Sequence, residues 1–365
     1  MLYEVAYRLG KVAQKSARSL SNSTSRLFYL AHREARKRPD LPREERLWAY
    51  RNGFLSEGVP LFDLNEDNVK SHLSYRDWTA TKDINGEAGA AVNDKLLLYH
   101  VLLPEYRDVL PPLYGFLREG KIQPTPLSEP VPSDVGQCIE ATGGIITRPL
   151  EGAGGRDVRV FRQDENGYHI DGNPASVDDV RRVTQNAGTR LVTGYVQQAD
   201  YADGLYSNSA NTVRMLTMID PDTREAFIPA VVHRIGSDES TPVDNWSRGG
   251  IVSKIDRETG ELSAAISYPY DGTRRTHDTH PDTGARLEGT SIPQWASIRE
   301  EMLDLAERLG DLLPYVGWDV LVTDHDGSYV IIEGNNWPDI DIIQPHYQLL
   351  DDERARRFYE HHDII

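Results

Sequence analysis

Apolar residues along this chain change their period, and each change marks an element. Near the N-terminus Leu2, Val5, Leu9 and Val12, then Leu20, Leu27, Leu30 and Ala31, recur at about three to four residues and predict amphipathic helices. From Leu41 to about Val92 the pattern is mixed and reads as helical, with Pro42 at a helix start and polar connections through Asn65 to Asn68. An apolar helix is predicted from Asp94 to Leu103. The prolines that follow, from Pro104 and Pro111 to Pro130 and Pro132, mark connections and a boundary. Beyond them short β-rich runs alternate with turns: Gly144 to Pro149, Val158 to Phe161, Leu191 to Val196, Thr212 to Ile219, Ala226 to Val232 and Gly317 to Thr323. Ile298, Met302, Leu305, Leu309 and Leu312 mark one amphipathic helix. The expectation is an α+β body over residues 91–350, preceded by a helical region over 1–90 and followed by a tail or helix over 351–365.

Composition narrows the function classes. The 57 acidic against 40 basic residues leave a formal charge of −17, which argues against nucleic acid as a partner. The chain has 8 lysines against 32 arginines and 33 aspartates against 24 glutamates, the balance of a surface adapted to salt or of an arginine-rich codon bias. Residues 1–46 differ, with eleven Lys or Arg against five Asp or Glu. A basic amphipathic arm of this kind suits weak contact with an anionic membrane or acidic partner, or two helices docking an apolar face on the body. No apolar stretch approaches the roughly 20 residues of a transmembrane helix. Without a signal-peptide pattern, and with Cys138 as the one cysteine, the expected compartment is the cytoplasm.

Two segments carry candidate chemistry. Trp318 to Thr323 and Ser328 to Ile332 read as strands joined by a turn at Asp324 to Gly327. A hairpin symmetric about Asp326 sets Asp319 opposite Glu333 and puts Asn335 on the same face as Glu333. Two carboxylates so placed repel, so something positive is expected between them. Hard oxygen donors suit Mg²⁺, which makes Asp319, Glu333 and Asn335 the candidate metal ligands. The bland alternative is a solvated acidic rim. The second segment runs from Thr147 to Val158, where Gly152, Gly154 and Gly155 can turn successive N–H groups toward a phosphate, or form a plain hairpin turn. Neither a Walker pattern nor a GxGxxG fingerprint is present. His277 and His280 lack a clear third metal ligand and read as exposed loop residues.

In this order and spacing, the two segments resemble the ATP-grasp superfamily. Leu191 to Gln198 is similar to the hinge strand that holds adenine in glutamate-ligase-like members. Asn211-Thr212-Val213-Arg214, then Arg234, then Asp244-Asn245-Trp246-Ser247-Arg248-Gly249-Gly250, then Asp319 with Glu333 and Asn335, and a trailing Gln344, resemble the sugar-transfer-associated ATP-grasp family. Asp94-Lys95 resembles the pair that opens its nucleotide fold. The resemblance implies two α+β lobes clamping ATP. It implies that Lys95, Arg148, Gly152, Gly154, Gly155, Thr193, Gly194, Tyr195 and Val196 bind the nucleotide. It further implies that Arg214, Arg234, Arg248 and Asn245 serve catalysis. Arg148 departs from the family's usual lysine, and Gly194 stands where related ligases carry Glu. Asp200 or Asp203 is the expected ribose partner.

The implied reaction is ATP-dependent ligation of a carboxylate with an amine through an acyl phosphate, with one or two Mg²⁺ ions or Mn²⁺ in their place. The setting implied is modification of a sugar, a cell-surface component or a small metabolite. Phosphotransfer to a hydroxyl, and a nucleotide-binding regulatory protein that has lost turnover, are the alternatives. The polar stretch from Tyr268 to Gly289 is where acceptor choice is expected.

Overall fold

A computed structural model describes residues 23–36, 40–102, 105–150, 157–268 and 272–365. Gly152, Gly154 and Gly155, and most of the basic arm, lie outside these.

The helical region begins with α1 (Ser23–Arg36), α2 (Arg43–Arg51), α3 (Gly58–Phe62) and α4 (Tyr75–Thr81). Two further helices, α5 (Gly89–Asn93) and α6 (Lys95–Leu102), meet at Asp94, and α6 is the apolar helix expected to begin there. Asp94 leaves helical geometry, and its Oδ1 accepts from the amides of Leu96 and Leu97, capping α6 and setting Lys95 at its first position.

Two antiparallel sheets of seven strands follow. The first contains β1 (Leu113–Arg118), β2 (Lys121–Gln123), β3 (Gly144–Pro149), β4 (Arg159–Asp164), β5 (Gly167–Ile170), β6 (Asn173–Ala175) and β7 (Arg190–Gly194), in the order β2-β1-β7-β3-β4-β5-β6. Helices α7 (Val135–Thr142) and α8 (Val177–Gln185) cover it through Val135, Ile139 and Val180. The proline-rich stretch thus contributes β1 and β2 as well as connections. Its prolines flank the strands, where they cost no ladder hydrogen bond.

The second sheet follows α9 (Asp200–Leu205). It is built from β8 (Val213–Ile219), β9 (Ala226–Ile235), β10 (Ile251–Ile255), β11 (Leu262–Ser267), β12 (Arg275–His277), β13 (Tyr315–Val322) and β14 (Tyr329–Asn335). Its order is β12-β11-β10-β9-β8-β13-β14. Two interior strands, β8 and β13, are buried along their whole length, so alternation is lost there. The amphipathic helix α10 (Trp295–Leu309) packs Ile298, Met302 and Leu305 against one face. It ends before Leu312, which is 63% exposed instead of extending that stripe.

The other face is covered by the helical region and the C-terminal helix α11 (Glu353–His361), which share one core containing Phe54, Trp78, Leu216, Val232 and Phe358. Here α1 docks differently from the expected pattern. Leu27 is 65% exposed, while Arg33 is buried, donates to Glu57 and Asp341, and lies 4.7 Å from the Tyr75 ring centroid. The α+β expectation holds, with the two sheets as its β component.

Candidate functional site

A cleft of about 430 Å³ lies between the sheets, lined from the first by β3 and the end of β7, from the second by β9, β13 and β14, and at one end by Lys95. Its centre is the hairpin β13–β14. Asp319 pairs directly with Glu333, and Gly317 with Asn335, the expected register. The route to it is not symmetric. Near the turn the pairs are Val322 with Tyr329 and Val320 with Ile331, and a bulge between Asp319 and Val320 restores the acid pair.

The expected positive charge between the acids is supplied by the chain itself. Lys95 Nζ stands 3.4 Å from Glu333 Oε2. Arg214, paired across β8 and β13 with Asp319, donates from Nε to Asp319 Oδ1. Arg234 on β9 donates from Nη1 to Asp319 Oδ2 at 2.7 Å and from Nη2 to Asp244 Oδ1 at 2.7 Å. Burial alone would push the Asp319 pKa up, but Arg214 and Arg234 outweigh it and hold the carboxyl below its usual range. Burial likewise works against the Arg234 cation, and Asp244, Asp319 and Glu333 together hold its pKa above the ordinary value.

On the opposite wall Arg148 is buried and donates from Nη1 to the Ile332 carbonyl at 3.1 Å, joining the first sheet to β14 across the floor. Its Nε and the Thr193 hydroxyl are buried at the cleft without a hydrogen-bond partner among the described residues. Unsatisfied polar atoms of this kind point to a polar ligand. At the end of β7, Gly194 N donates to the Pro112 carbonyl at 2.8 Å and Tyr195 N to the Gly144 carbonyl at 3.1 Å, and Val196 next to them lines the cleft. A side chain at 194 would crowd its neighbours, because an added Cβ would come 2.9 Å from the Tyr114 hydroxyl and 3.2 Å from Pro112.

The carboxylates and the Asn335 carboxamide supply hard oxygen donors, the kind that a divalent cation takes. Glu333 fits that part, since its side chain is 26% exposed at the cleft. Asp319 has both oxygens bound to guanidinium groups, so a cation there would share it with Arg214 and Arg234. Asn335 lies on the same face but donates to the Gly317 carbonyl at 3.1 Å and does not line the cleft.

Of the other expected residues, Lys95, Arg148, Thr193, Gly194, Tyr195, Val196, Arg234 and Asn245 meet at the cleft, whereas Arg214 stands behind Asp319 and Arg248 is exposed on a turn outside it. Asp203 lines the cleft and accepts from Gln197 and Gln198, while Asp200 pairs with His325 outside it. His280 corrects the expectation of an exposed loop: it is 1% exposed, stacks on Tyr206 and bonds to the Gly236 carbonyl. Gln344 bonds both the amide and the carbonyl of Leu73, so this motif residue docks the helical region, as does Asn336, which follows Asn335 and reaches Asn85. Sequence reasoning missed Thr212 and Asp244 as parts of the charge network, although both stand inside the motifs that carry Arg214 and Asn245.

Two seven-stranded antiparallel lobes facing one another across a cleft with converging cations and carboxylates define an ATP-grasp protein. More narrowly, the chain belongs to the sugar-transfer associated ATP-grasp family, a model of whose sequences matches residues 81–352. No curated protein matches it. Among solved structures it is similar to an ADP complex of N5-carboxyaminoimidazole ribonucleotide synthetase, at 14% identity and TM-score 0.38, covering 73% of this chain and 52% of the other. D-cycloserine synthetase DcsG is 14% identical with TM-score 0.36, covering 74% and 71%. D-alanyl-alanine synthetase A from Vibrio cholerae is 14% identical with TM-score 0.38, covering 75% and 64%. The chain spans about half the length of the first of these.

Proposed function

We propose that the cleft binds ATP and that the protein joins a carboxylate to an amine through an acyl phosphate, in modification of a sugar, a cell-surface component or another small metabolite. The observation that carries this reading is the meeting of Lys95, Arg148 and Arg234 with Glu333 and Asp319 in one cleft that also holds unsatisfied buried donors and acceptors. Preorganised cations of this sort stabilise the charge on a transferring phosphoryl group, and phosphoryl transfer is accelerated mainly in this way.

In this reading the base lies against Thr193, Gly194 and Tyr195 and accepts from the Val196 amide, with Asp203 near the ribose. Lys95 and Arg148 meet the phosphates, together with Gly152, Gly154 and Gly155 of the glycine-rich turn. Mg²⁺, or Mn²⁺ in its place, would be held by Glu333 with Asp319 shared, Asn335 standing beside them on β14, and would supply charge neutralisation at the phosphates. Arg234 and Asn245 face the reacting phosphoryl group, and Arg214 holds Asp319 from behind. The substrate carboxylate oxygen attacks the γ-phosphorus as its bond to ADP breaks. The amine nitrogen then attacks the acyl carbon and phosphate leaves.

The test is ATP consumption with Mg²⁺ over pooled amino acids, sugar acids and amino sugars, read by mass spectrometry. A product lighter than its two substrates by one water supports ligation. A phosphorylated product identifies a kinase, and ATP binding with no turnover identifies a regulatory binder.

A further inference from the structure

Arg234 is held at both ends of its planar fork. Nη1 donates to Asp319 and Nη2 to Asp244, each at 2.7 Å. The two acids differ in what else they carry. Asp319 is shared with Arg214 and faces Glu333, where a cation would compete for its oxygens. Asp244 has no second cation among its described ion pairs. Its Oδ2 instead accepts from the Thr212 amide at 2.9 Å and from the Thr212 hydroxyl. Thr212 is in turn fixed to β9, because its carbonyl accepts from the Arg234 amide at 2.8 Å. Asp244 is therefore the partner of Arg234 whose position does not depend on what occupies the hairpin.

The four charges Arg214, Asp319, Arg234 and Asp244 cancel formally, and their side chains are between 4% and 13% exposed. In such a setting removal of one acid leaves a guanidinium charge uncompensated. A guanidinium has five N–H donors, and two are used here, so the remainder can meet an anion in the cleft without disturbing the anchors. We propose that Asp244 is a positioning residue: held by Thr212, it fixes the Arg234 guanidinium at the place of the terminal phosphoryl group, and keeps it there when Asp319 is drawn toward a cation. This rests on the reading of the cleft as an ATP site.

The readout is the ratio of affinities for a non-hydrolysable ATP analogue and for ADP, measured with Mg²⁺ by calorimetry on the full chain, with the melting temperature recorded for each variant. Asp244→Asn keeps the shape and removes the charge, and Arg234→Gln removes the cation. Each should lower the wild-type preference for the analogue by about tenfold, or about 1.4 kcal/mol, with little change for ADP. The double variant should lose no more than Arg234→Gln alone, because Asp244 acts through that arginine. An unchanged ratio in Asp244→Asn, or losses that simply add in the double variant, would overturn the inference while leaving the ATP reading intact. A wild type that binds neither nucleotide overturns both. If Asp244→Asn does not fold, Thr212→Val removes only the hydroxyl bond to Asp244; a smaller loss in the same ratio supports the proposal, and no loss overturns it.

Discussion

Glu333 and Gly194 show how single residues set this cleft. Glu333 is partly exposed and paired with Lys95, so neutralising it costs little desolvation energy in either direction. Glu333→Gln should leave the melting temperature nearly unchanged and remove most Mg²⁺-dependent turnover; wild-type activity at limiting Mg²⁺ would take Glu333 out of the metal site. Gly194 is constrained by contact, since a methyl group there meets the Tyr114 hydroxyl. Gly194→Ala should cost about 1–3 kcal/mol by overpacking, and Tyr114→Phe in the same chain should recover part of it; equal denaturation midpoints for Gly194→Ala and wild type would sink this account. The acids and arginines themselves were legible in the motifs. That Arg214 would stand behind Asp319 and that Asp244 would anchor Arg234 was not, because neither contact is local in sequence.

At the scale of elements, the hairpin was legible because turn residues flanked by apolar runs leave few registers. The bulge beside Asp319 was not, since nothing in the local apolar pattern marks one extra residue in a strand. Strands β10, β11 and β12 escaped the apolar pattern because they are short and their outer faces carry Ser, Lys and Arg. Helix α1 docks through a buried arginine shared by Glu57 and Asp341, with Tyr75 also donating to Asp341. Arg33→Ala removes the buried guanidinium that two buried acids share, so it should destabilise the protein by about 3–5 kcal/mol. Urea denaturation checks this, and a loss below about 1 kcal/mol would mean that the helix is held by its apolar contacts alone.

For the whole molecule, acid should act first through buried histidines. Burial pushes His233 and His346 down to about 4 from an ordinary value near 6.5. Below about pH 6.5 the unfolded chain takes up protons that these folded histidines refuse, so their contribution is present above that pH and is lost as pH falls toward 4. The melting temperature should decline across this window before the carboxylates titrate, and His346→Gln should flatten the decline; an identical slope in that variant would exclude His346 as a cause. What the sequence by itself determined is the α+β class, the family-like order of motifs and the pairing of Asp319 with Glu333. Each of these rests on local periods and turns that short stretches of chain contain. The tertiary structure decided which cations neutralise those acids, what a side chain at position 194 would meet, and which motif residues build the cleft instead of docking the helical region. Those outcomes depend on side chains brought together from strands and helices up to 308 residues apart, where burial makes every unpaired charge costly and so selects one arrangement.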